Sequence, residues 1–124
     1  MATELEEIKR ERTNLRRIFT RKYKEIVSFV ENVESDNDLI ISAIEVSESR
    51  VQVMFDLDER IYHILVANKA DESELDDETD QADSYRMKWI MLKKKVDKRL
   101  NPIENIRSPQ NLRLLNVYYQ MLKK

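Results

Sequence analysis

The sequence contains no glycine and no cysteine, and its only two prolines, Pro102 and Pro109, lie beyond residue 100. A chain of this length would usually carry about nine glycines. Glycine supplies the φ > 0 conformations of tight hairpins and phosphate-cradling loops. Its absence therefore argues against a sheet of hairpins and against a Gly-rich catalytic loop. Without cysteine there is neither a disulfide nor a thiolate zinc site. Few breakers interrupt the first hundred residues, which points to long helices joined by short turns. No apolar run approaches the roughly 18 residues of a membrane span. The charged N-terminal region lacks the apolar stretch of a secretory signal. These features lead to the expectation of a soluble, cytoplasmic protein with no membrane association.

What remains is a chain with 37% charged residues and a formal net charge of −2. That small number conceals three blocks. Residues 1–33 hold eight basic and six acidic groups, residues 34–84 hold three and sixteen, and residues 85–124 hold eleven and two. Blocks of opposite sign attract at bundle distances and help fix helix order and register.

Periodicity places the helices. From about Glu4 to Val33, apolar positions alternate in steps of three and four: Leu5, Ile8, Leu15, Phe19, Ile26, Phe29 and Val33. Arg12 and Lys22 interrupt this seam, and their stems are expected to carry the charges outward. Thr3 and Glu6 have the spacing of a capping box. Residues 34–37 form a polar turn. A second helix from about Asp38 to Asn68 has the seam Ile40, Ile44, Ser47, Val51, Met54, Asp58, Ile61 and Leu65. A third follows the Lys69–Ser73 turn, capped by Asp71 or Ser73, and ends near Leu100. Its acidic start and basic end suit the helix dipole. Its seam is read as Leu75, Thr79, Ala82, Arg86, Trp89, Lys93, Val96 and Leu100, widened by Tyr85 and Leu92. Ser108-Pro109 has the pattern of a helix start, with Leu112, Leu115, Tyr119 and Leu122 on one face. The expected fold is all-α: an elongated antiparallel three-helix bundle or coiled coil over residues 1–100. Residues 101–124 would supply a linker and a short fourth C-terminal helix.

Candidate chemistry is sparse. The lone His63 cannot by itself hold a metal and reads as a surface residue. The carboxylates at 71–80 lack the glycine and alternating ligands of a calcium loop. No nucleophile and base pair is evident, so no catalytic residue, metal site or cofactor is expected. Trp89, Tyr85 and Leu92 read as core. Leu39, Val46 and Val53, spaced by seven, and Met87 and Met91 fall off the seams and form a candidate interaction surface. Covering by the fourth helix and covering by a second copy stand as equal explanations for Met87, Ile90 and Met91. Two basic stripes lie on outer faces: Arg10, Arg17, Arg21 and Lys24 with Arg16 beside them, and Lys88, Lys94, Lys95 and Lys98. Pairing with the acidic second helix is the leading expectation for them. A candidate basic patch of Arg17, Arg21, Lys24, Lys94, Lys95 and Lys98 that holds nucleic acid by charge alone is the alternative.

Several stretches resemble a known family. Lys9-Arg10-Glu11-Arg12-Thr13-Asn14-Leu15-Arg16-Arg17-Ile18-Phe19-Thr20-Arg21 resembles the first helix of the N-terminal Gag-like domain of BEL/Pao-type retrotransposon polyproteins. Val51–Leu65, including Phe55-Asp56-Leu57-Asp58-Glu59-Arg60-Ile61, occupies the place of the family's long second helix. Asp71–Asp80 and Asp83-Ser84-Tyr85-Arg86-Met87-Lys88 resemble its acidic turn and third helix. The likeness covers roughly residues 3–100. It departs after Asn101-Pro102, where the family continues into a Pro-rich strip and a capsid-like region. The resemblance implies a solitary or truncated Gag-like segment, a non-enzymatic assembly module with no catalytic residue to carry over. Its partners would be further copies of itself or another helical protein. A cytoplasmic coiled-coil adaptor unrelated to retrotransposons, binding a partner's helix in a groove, is the rival reading.

Overall fold

The computed structural model describes residues 3–101, which form three α-helices: α1 (Glu4–Glu31), α2 (Asn37–Ala67) and α3 (Glu72–Leu100). Among the described residues there is no strand. At 28, 31 and 29 residues, each helix is about 42–47 Å long. The fourth helix expected from Ser108 onward lies outside the described residues.

Each helix begins on a side-chain cap. Thr3 Oγ1 accepts from the Glu6 amide at 3.1 Å while Glu6 Oε2 accepts from the Thr3 amide at 3.4 Å, completing the capping box. Asp36 caps α2 through the Asp38 amide, and Asp71, rather than Ser73, caps α3 through the Glu74 amide, both at 2.9 Å. Each such cap is worth about 1 kcal/mol.

The helix ends show how the chain manages without glycine. After α2, Lys69 takes φ 59°. The Ala70 amide donates to the Leu65 carbonyl at 3.0 Å, and the Lys69 amide to that of Val66 at 3.0 Å. This is a Schellman closure, with Ala70 packed in the same apolar cluster as Leu65. Its left-handed position usually holds glycine, because a Cβ there costs roughly 1–2 kcal/mol. Lys69→Gly is therefore expected to raise stability by up to about 1 kcal/mol, after the entropy of the added glycine is subtracted. A thermal melt checks this: an unchanged or lower midpoint would contradict the strain at Lys69.

Helix α1 stops at Glu31, short of the expected Val33. The Asn32 amide still donates to the Ser28 carbonyl, but Asn32 has left helical geometry, and its Oδ1 takes the Glu34 amide at 3.0 Å. Val33 consequently sits outside the helix at 90% exposure and adds nothing to the seam.

The short turns make neighbouring helices antiparallel, and the core reflects that order. At one end Ile8 of α1 packs with Leu57, Ile61 and Leu65 of α2, flanked by Leu75 of α3. Along the rest, Phe19 and Ile26 meet Ile40, Val51 and Met54 of α2 and Trp89, Leu92 and Val96 of α3. Phe19 is the aromatic centre, edge-on to both Tyr85 and Trp89 at 5.8 and 6.4 Å between ring centroids. The α2 seam follows the periodicity, with Ile40, Ser47, Val51, Met54, Asp58, Ile61 and Leu65 buried and Ile44 half-buried, while Leu57, off the expected seam, is buried as well. The α3 seam is not. Thr79, Arg86 and Lys93 are exposed, and the core-facing positions are Leu75, Glu78, Ala82, Tyr85, Trp89, Leu92 and Val96. The two large side chains taken as a widening, Tyr85 and Leu92, lie on the axis of the seam, and their burial sets the rotation of the helix.

Candidate interaction surfaces around a buried charged layer

Polar residues occupy the seams of all three helices at one level. Arg12 of α1, Asp58 of α2 and Glu78 of α3 meet there. Arg12 Nη1 donates to Asp58 Oδ1 at 3.1 Å and also to Glu78 Oε1. Arg16, one turn on, reaches the same Asp58 oxygen from Nη2 at 3.0 Å. Its guanidinium lies 4.6 Å over the Tyr85 ring and Nη1 donates to Gln81. Arg12 and Asp58 are 6% and 4% exposed. The expectation that Arg12 carries its charge outward is thus incorrect. Two carboxylates on facing helices hold the guanidinium inside, which a stem directed to solvent would forgo. Burial holds the Arg12 guanidinium below its ordinary value, and the neighbouring Arg16 pushes the same way. Asp58 opposes both by charge and by hydrogen bond. Lys22, the other interruption of the α1 seam, stays partly exposed and pairs with Glu25 at 3.4 Å.

A second polar device ties the opposite end. Helix α1 has no basic residue in its last turn and no glycine after it. Its terminal carbonyls would otherwise lack partners. Arg99, in the last turn of α3, supplies them. Nη1 donates to the carbonyls of Phe29, Val30 and Asn32 at 3.0, 3.0 and 2.6 Å, and Nη2 to that of Ser35. Nε donates to Asn37 Oδ1 at 3.0 Å, at the start of α2. One guanidinium therefore closes α1, braces the α1–α2 turn and docks α3. Sequence reasoning assigned Arg99 only to the α3 dipole. The signal that marks it is the unfurnished end of α1.

The candidate interaction residues are all exposed. On α2, Leu39, Val46 and Val53 are 47%, 56% and 43% exposed. Arg60, one heptad further along the same row, pairs with Glu4 of α1 at 2.9 Å. That row therefore runs along the α1 side of the bundle. On α3, Met87, Ile90 and Met91 are each more than half exposed and lie opposite Trp89 and Leu92, about 200° around the helix. The five residues offered as one surface accordingly belong to two separate patches.

The basic residues divide as well. Of the two basic stripes only Arg16 makes the expected pairing with α2 among the described residues, to Asp58. The other ion pairs to α2, Arg12 to Asp58 and Lys93 to Glu48 at 3.6 Å, come from seam positions outside the stripes. Arg17, Arg21, Lys24, Lys94, Lys95 and Lys98 are exposed and make no ion pair among the described residues. They fall on two different helices.

Between α2 and α3 runs an open cleft of about 360 Å³, lined by Asp58, Glu59, Tyr62, Glu78, Asp83 and Arg86 among others. His63 stands at its edge, exposed, 3.7 Å from Glu59. Among the described residues no group of three or more histidine or acidic side chains is placed to hold a metal ion. None of their helices is long and apolar enough to cross a membrane. What the surface offers chemically is apolar contact on two helix faces and charge of both signs beside it. The chain matches no family model, and no curated protein or solved structure is significantly similar to it.

Proposed function

We propose that the protein is a non-enzymatic helical assembly module that associates with copies of itself, in the manner of a Gag-like N-terminal domain. One observation carries this reading: the bundle completes its core and still exposes apolar rows, Leu39, Val46 and Val53 on α2 and Met87, Ile90 and Met91 on α3. A side chain with no internal role costs solubility unless something covers it, and contiguous apolar surface of this kind marks interaction sites. The resemblance of residues 3–100 to the retrotransposon family supports the same reading. The buried charged layer fits it too, because ion pairs inside a bundle favour one helix register over the alternatives.

Light scattering from micromolar to near-millimolar protein tests the proposal. The weight-average mass is expected to rise from the 14.9 kDa of one chain toward at least twice that value. A mass that stays at one chain throughout would remove it.

A further inference from the structure

The outer face of α3 has an order that the sequence alone did not show, because the rotation of the helix was set only by Tyr85 and Leu92 entering the core. With Trp89, Leu92 and Val96 buried, the strip facing away carries Asp80, Asp83, Ser84, Met87, Met91, Lys94 and Lys98, all exposed. Ile90 lies at its margin. The strip has an acidic half, extended by Asp76 and Asp77, an apolar middle, and a basic half, in which Asp97 is the one acidic residue. A shallow groove lined by Asp80, Asp83, Ser84, Met87, Lys88 and Met91 already indents this face.

Resting on the self-association reading, we infer that the strip is a two-fold interface: α3 of one chain lies antiparallel to α3 of a second copy, with the axis at the level of position 89. This register sets Met87 against Met91 of the other copy, and Met91 against its Met87. It sets Asp80 across from Lys98 and Ser84 across from Lys94, each pair occurring twice. Asp80 and Lys98 are 18 residues apart, five complete helical turns, so both face the same way from their own helix. The match requires antiparallel packing, since a parallel pair would set acid on acid and base on base. A two-fold interface must be complementary to itself, and this strip is. An anionic lipid surface or a nucleic acid would accept the lysine half and repel the aspartate half. Like charges opposed across a contact disfavour a wrong partner, and opposite charges fix register.

The chain has no cysteine, so introduced thiols report the register directly. Ser84→Cys and Lys94→Cys variants are mixed under mild oxidant, each is also oxidised alone, and Val46→Cys serves as the α2 comparison. The mixture is expected to form the disulfide-linked pair within minutes. Ser84→Cys alone is expected not to, because its two copies would stand about 15 Å apart along the helix axis. Charge reversal of Asp80 to Lys is expected to weaken association several-fold, and added reversal of Lys98 to Glu to restore it. Cross-linking through Val46→Cys alone, in a protein that still associates, would overturn the α3 interface and leave self-association standing. A protein that stays a single chain with no cross-link at any position would overturn both.

Discussion

Replacing Asp58 with alanine is expected to lower the unfolding free energy by about 3–5 kcal/mol, the cost of leaving one partner of a buried ion pair uncompensated. Asp58 Oδ1 is the meeting point of two guanidinia, from Arg12 and Arg16. Without it, Arg12 keeps only Glu78, and burial alone disfavours its charged form. Replacing Arg12, Arg16, Asp58 and Glu78 together with Met, Met, Leu and Leu should behave in the opposite way. It removes the charges along with the need to satisfy them, so stability is expected to be unchanged or higher by about 1–4 kcal/mol. Arg16 is included because Asp58 is its one ion-pair partner and its side chain is only 12% exposed. Urea denaturation of both variants, at one fixed low protein concentration so that association does not contribute, measures the difference. A loss below about 1 kcal/mol for Asp58→Ala would mean that the layer carries little of the energy assigned to it.

Arg99→Ala is the second large effect. Hydrogen bonds from a charged donor contribute about 1.5–3 kcal/mol apiece in favourable cases, and Arg99 donates to four carbonyls and one side-chain oxygen. These bonds share one guanidinium and are not additive, so a loss of about 3 kcal/mol is expected rather than their sum. Arg99→Lys should recover little of it. An ammonium has three donors around one point, whereas the guanidinium spreads five over a plane wide enough to span Phe29 through Asn37. Amide hydrogen exchange localises the effect: the α1–α2 turn should lose protection before the Phe19 and Trp89 core does. Uniform loss of protection along the chain would contradict the role of Arg99 as a local clamp.

The extent to which this architecture was legible in the sequence varies residue by residue. Thr3, Asp36 and Asp71 cap helices because a short polar acceptor precedes an apolar period, and that is a local signal. The α2 seam was legible because seven apolar or small side chains recur with a single phase. The α3 seam failed at Thr79, Arg86 and Lys93 because residue type favoured no one phase over its neighbour. Glu78, which belongs on the seam, looked like part of a solvated acidic run. Arg12 misled for a related reason. A charged residue on an apolar face is ordinarily directed outward, and only the antiparallel stacking of three helices reveals that Arg12, Asp58 and Glu78 fall at one level. Arg99 serves a helix end nearly seventy residues away in the chain, a relation that no window along the sequence contains. The candidate surfaces show the same limit. Leu39, Val46, Val53, Met87 and Met91 were recognised as off-seam, but their division between the α1 side of α2 and the outside of α3 depends on helix rotation.

That division gives the assembly proposal its sharpest form. If the α3 face carries association, charge placed at its apolar middle should abolish it without touching the core, since Met87 and Met91 are 61% and 55% exposed. Helix content and melting temperature of the Met87→Lys/Met91→Lys variant at low concentration should match those of the unaltered chain. The core-facing Trp89 and Leu92, on the other side of the same helix, could not be altered so freely.

Sedimentation equilibrium of the unaltered chain beside the Met87→Lys/Met91→Lys variant is the most direct measurement. The unaltered chain is expected to pass reversibly from one copy to two as concentration rises, and the variant to remain at one copy with its helices intact. An unaltered chain that stays a single copy over the whole range would contradict the proposal that this bundle exists to assemble.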